Sequence, residues 1–156
     1  MEKTGVLASD RRPAVRIALT VPCAEELIEA QVSAARLACQ RLTEPDRARL
    51  LDSVNQACCL PDRPGWERKA AAHAEIFRLL ADIAGSSPAG PHGSQVQVIR
   101  DLISAVGPAV NGIITNSRRR LLARLGAGDA DGTAREVESH LRTLNFMWRL
   151  TCRPAA

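Results

Sequence analysis

Three polar side chains that could do chemistry, those of His73, Arg118 and His140, stand on stretches that are otherwise apolar. His73 has Ala70, Ile76, Phe77 and Leu80 as its neighbours at helical spacing. Arg118 lies four residues after Ile114 and three before Leu121, and His140 sits among Val137, Leu141 and Leu144. A polar group on a face destined for the interior needs a partner, because burying it unpaired costs about 1–3 kcal/mol. That partner can be a neighbouring side chain, a water, a metal or a ligand. Singly, each has an ordinary explanation: an internal hydrogen bond for the histidines, and for the arginine a stem long enough to carry its head to water.

The pair Arg118 and His140 is more informative. Residues 117–150 read SRRRLLARLGAGDADGTAREVESHLRTLNFMWRL. Two helical patterns meet there at Gly-Ala-Gly-Asp, which predicts a helix–turn–helix hairpin. At 1.5 Å per residue Arg118 and His140 stand roughly 10 and 13 Å from the turn, nearly level. Two cationic or potentially cationic groups facing one space suit an anion, most simply a carboxylate gripped by the guanidinium fork. Asp82, Asp101 or Glu138 would do the same from inside the protein. For a metal the inventory is thin. His73 and His140 supply two nitrogens, His92 stands in a loop rich in glycine and proline, and zinc generally takes three or four protein ligands. The sequence contains no glycine-rich phosphate loop, no nucleophile elbow, no HExxH and no local Cys–His motif, so nothing in it argues for an enzyme.

The elements that must hold these residues read as helices throughout. Ile28, Val32, Ala35, Cys39 and Leu42 share one face from Ala24 onward. Thr43 with Pro45 and Asp46 marks a second helix, running to about Cys59, and Leu60 to Gly65 is a loop signal. A third spans about Trp66 to Ala84 and ends at Gly85. After the loop Ser86 to Gly93, a fourth starts near Ser94, with a kink expected at Gly107-Pro108, and continues to Gly126. The last begins near Asp131, with Ala134, Val137, Leu141, Leu144 and Trp148 in heptad register. The expected fold is all-α, an antiparallel bundle of about six helices over residues 22–152. Residues 1–21, with a β-like run between Pro13 and Pro22, read as a linker.

Composition sets the class. A chain of 156 residues, 46% hydrophobic and 24% charged, is long enough for a real core. No run approaches the roughly 20 apolar residues of a membrane span. No secretory signal pattern opens the chain, so the expected location is cytoplasmic. The net charge of +4 is modest, and its arginines are dispersed apart from two short clusters, which favours a solvated surface over a nucleic-acid footprint. Five cysteines, at 23, 39, 58, 59 and 152, form no CxxC pair and read as reduced thiols.

Three stretches also carry a family resemblance. AARLACQRL at 34–42, HAEIFRLLADIAG at 73–85 and RRRLLARLGAGDADGTAREVESHL at 118–141 resemble, in order and spacing, the C-terminal FCD domain of FadR-type regulators in the GntR superfamily. The likeness covers about residues 22–150 and is closest at the hairpin. It implies an all-α domain that binds a small effector, often an organic acid, and helps form a homodimer. Many members hold a metal with an aspartate and three histidines. At those positions this chain has His73, Phe77, Arg118 and His140, so only two can ligate and the resemblance implies a copy that has lost the metal. It also places all four residues in the effector pocket. Such regulators carry an N-terminal winged helix–turn–helix, and residues 1–21 are too few for one, so the chain by itself is not expected to bind DNA. The expected function is thus a non-enzymatic effector-binding and dimerisation domain sensing a small carboxylate. The alternatives are a free-standing protein-interaction module, or a metal-dependent protein using His73 and His140.

Overall fold

A computed structural model describes residues 21–86 and 91–151. The linker expected over residues 1–21 falls outside them except for Val21, as does Cys152. Six helices make up the described residues: α1 (Val21–Arg41), α2 (Glu44–Cys59), α3 (Trp66–Ile83), α4 (Pro91–Val106), α5 (Asn111–Gly126) and α6 (Ala130–Thr151), with a short 3-10 turn at Pro108–Val110. The fold is an all-α helical bundle, as the periodicity predicts.

The apolar stripes read from the sequence become one continuous core. Ile28, Ala35 and Cys39 of α1 are buried, as are Ala70, Ile76, Phe77 and Leu80 of α3 and Val137, Leu141, Leu144 and Trp148 of α6. Helix α3 occupies the centre, packing on α1, α2 and α4. Helices α1 and α6 lie side by side, and ion pairs Glu25–Arg142 and Arg36–Asp131 at their opposite ends show that they run antiparallel. Thr43 caps α2 with a reciprocal box: its hydroxyl accepts from the Asp46 amide and the Asp46 carboxylate accepts from the Thr43 amide, each at 3.3 Å. Among the described residues no single helix is long and apolar enough to cross a membrane.

Three boundaries differ from expectation. Helix α1 begins at Val21, ahead of Ala24 and at the end of the stretch read as a linker. Helix α4 begins at Pro91, earlier than the Ser94 start, since proline suits the first helical turn, where its missing N–H costs nothing. The kink at Gly107-Pro108 is instead a full corner, with the segments on either side bent by 102°. Gly107 ends α4 at φ 89, a left-handed backbone that favours glycine, and Pro108 opens the 3-10 turn that leads into α5. That corner turns α5 back across the bundle and brings Arg118 over α3.

Candidate functional site

The hairpin that carries Arg118 and His140 is tied at its bend first by backbone hydrogen bonds. The Asp129 amide donates to the Arg124 carbonyl and the Gly128 amide to the Leu125 carbonyl, a Schellman closure with Gly128 at φ 68. Asp129 then turns to serve α6, its carboxylate accepting from the Gly132 amide at 2.8 Å. One residue therefore ends α5 and caps α6, which sets the register between the two. Across the hairpin, Ser117 and Arg120 both bond Glu136. Arg118 is thus level with Glu136, and His140 stands about one turn further from the bend, so the two are less level than the spacing predicts.

They meet nonetheless, through α3. The Phe77 ring stacks against the His140 imidazole, with centroids 6.0 Å apart and planes inclined by 13°. The Arg118 guanidinium carbon lies 5.1 Å from the centre of the same ring, within cation–π range. Its Nη2 donates to the His73 carbonyl at 2.8 Å. His73, Phe77, Arg118 and His140 therefore form one buried cluster, bridging the central helix to the hairpin. Arg118 is only 1% exposed.

The internal carboxylates proposed to neutralise Arg118 are all engaged elsewhere. Asp82 pairs with Arg78 and Arg49, Asp101 accepts from Gln97, and Glu138 pairs with Arg142. Among the described residues no carboxylate forms an ion pair with Arg118. Burial pushes the guanidinium down to about 10, with Cys58 and Glu136 pulling it partly back. Burial, followed by the Arg118 charge, lowers His73 to about 4, and the same two causes hold His140 well below the ordinary histidine range. Both imidazoles are neutral at pH 7 beside a buried cation.

Three ring nitrogens in this cluster are buried without a hydrogen-bond partner: Nδ1 of His73 and both nitrogens of His140. The remaining orphaned side-chain atom among the described residues, Asn145 Oδ1, follows His140 by five positions and so sits off its face. His73 Nε2, by contrast, lies 3.3 Å from Asn111 Oδ1. Asn111 Nδ2 donates to Asp62 Oδ2 at 3.4 Å, and Asp62 Oδ1 accepts from Lys69 Nζ at 2.7 Å. Lys69, itself buried, also donates to the Leu60 carbonyl at 2.7 Å. A polar chain thus runs from the loop before α3 inward to the cluster.

The sequence reading missed Asp62, Lys69, Asn111 and Glu136. Lys69 had a usable signal, since it precedes His73 by one helical turn and shares its stripe. The other three are meaningful only through partners distant in sequence. For a metal the cluster fits poorly: Phe77 offers no donor, Arg118 adds a positive charge, and no group of three or more His, Cys, Asp or Glu side chains converges among the described residues. Cys23, Cys39, Cys58 and Cys59 are free thiols.

No protein-family model matches the chain, and no curated protein or solved structure matches it either. The likeness to FCD domains therefore rests on the residues quoted for it.

Proposed function

We propose that this helical bundle is the effector-binding and dimerisation domain of a GntR/FadR-like regulator, non-enzymatic, taking a small carboxylate between α3, α5 and α6. One observation carries the reading: among the described residues a buried guanidinium has no ion-paired carboxylate and stands beside two neutral imidazoles with three unpartnered ring nitrogens. A carboxylate supplies the missing counter-charge and accepts from both Arg118 and an N–H of His140. Because the cluster joins the central helix to the hairpin, an anion there favours the packing that brings α3, α5 and α6 together. Regulation then follows from differential affinity for two packings.

The test is calorimetry or thermal shift against small organic acids. At a ligand concentration of 100 times Kd, stabilisation is about 2.7 kcal/mol, or roughly 5–10 °C in a domain of this size. Arg118→Ala should abolish it. If no acid stabilises the protein, or if Arg118→Ala leaves a measured affinity unchanged, the assignment fails.

Phe146 and Leu150, one turn apart on α6, are 62% and 48% exposed, and they support association with another chain. As a regulator domain the protein forms a homodimer, which Phe146→Ser should weaken. The second reading, a protein-interaction module, uses the same face and predicts a monomer until its partner is added. Size exclusion with light scattering separates the two.

A further inference from the structure

The polar chain behind His73 specifies more than charge. Asp62 is a carboxylate that accepts hydrogen bonds and donates none, so the Asn111 group facing it must be the amide nitrogen. The Asn111 carbonyl oxygen then faces His73, and His73 Nε2 must carry the proton. Lys69 holds Asp62 from the other side, which keeps that carboxylate in place. In the neutral ring His73 Nδ1 is consequently a bare lone pair, buried and without a partner. A carboxylate cannot satisfy it, because a carboxylate has no hydrogen to give. Arg118 and an N–H of His140 want acceptors; His73 Nδ1 wants a donor.

We propose that the site selects a carboxylate bearing a hydroxyl on the second or third carbon, with the carboxylate on Arg118 and His140 and the hydroxyl donating to His73 Nδ1; Asn111 and Asp62 are the positioning residues that set this preference. The proposal rests on the carboxylate reading above. An ammonium group would also donate, but a zwitterion brings no net counter-charge to the buried Arg118 guanidinium, so 2-amino acids are disfavoured. Plain carboxylates bind more weakly because they leave His73 Nδ1 unpaired.

The experiment compares matched probes by calorimetry: glycolate with acetate, lactate with propionate and with alanine, malate with succinate, and 3-hydroxybutyrate with butyrate. The expected result is that at least one hydroxy acid binds about 10- to 100-fold more tightly than its plain counterpart, with alanine weaker than lactate. Asn111→Leu should reduce that ratio to less than about 3-fold, because His73 is then free to adopt either tautomer. A second measurement needs no variant: long-range 15N correlation spectra of the wild-type protein should show His73 as the Nε2–H tautomer, with its Nδ1 resonance moved by the hydroxy acid and not by the plain acid. Equal affinities within every pair, or a His73 protonated on Nδ1, overturn this proposal while leaving the carboxylate reading standing. Absence of binding by every acid overturns both.

Discussion

Replacing Arg118 by methionine separates an arginine kept for a ligand from one kept for the fold. Burial holds the guanidinium at about 10, and the gap from its ordinary value corresponds to roughly 3 kcal/mol against folding at neutral pH. The sign follows from the proton balance: the native state binds this proton more weakly than the unfolded chain, so the penalty is full below pH 10 and fades above it. Against it stand the contact with Phe77, about 2 kcal/mol for a desolvated cation over a ring, and the Nη2 bond to the His73 carbonyl, about 1 kcal/mol. The His73 carbonyl keeps its place in the α3 ladder, and methionine retains the apolar stem. Arg118→Met should therefore leave the ligand-free protein within about 1 kcal/mol of wild type, in line with apolar replacement of other buried ions. Urea denaturation at pH 7 measures this as a midpoint close to that of wild type at unchanged slope. Added carboxylate should then raise the wild-type midpoint and not that of the variant. A loss of about 2 kcal/mol or more in the ligand-free variant would refute the reasoning, because it would make Arg118 a structural strut whose charge is already compensated.

Three other outcomes follow from the same contacts. Acid should destabilise the protein well above the carboxylate range: His73 titrates near 6.5 when unfolded and near 4 when folded, so stability is full above pH 6.5 and falls toward pH 4. At pH 5 the loss from His73 alone is roughly 2 kcal/mol, with His140 acting in the same direction, and a urea midpoint unchanged between pH 7 and pH 5 would contradict it. Thr43→Ala removes the hydroxyl that caps α2 and should cost about 1 kcal/mol in urea melts, without altering carboxylate binding. Lys69→Met strips the Leu60 carbonyl and Asp62 of their buried donor; a loss of about 1–3 kcal/mol and faster proteolysis at residues 60–65 are expected, and a protein as stable and as resistant as wild type would show that the lysine is idle.

What could be read from residue order was whatever depends on short spacings. The helical stripes of α1, α3 and α6, the Thr43 cap and the break before α6 are all local, because a side chain three or four positions away lies on the same face. The oddity of His73, Arg118 and His140 was legible for the same reason: polar residues on apolar faces stand out in one dimension. Phe77 entered as a site residue through the family likeness, and the structure packs it against both Arg118 and His140 for a reason of its own, as a ring that stacks on one and carries the charge of the other. Residue order did not show which carboxylates would be spent elsewhere. Asp82, Asp101 and Glu138 were all plausible partners for Arg118 until their own ion pairs and hydrogen bonds were seen. Nor did it show that Gly107 and Pro108 would turn the chain through a right angle, since a glycine–proline pair is compatible with a kink or a corner and only packing chooses. The chain from Lys69 through Asp62 and Asn111 to His73 joins the loop before α3, α3 itself and the start of α5. Hydrogen-bond partners that distant in sequence leave no periodic trace, so the tautomer of His73, and the hydrogen-bond character of the site with it, exists only once the bundle has closed.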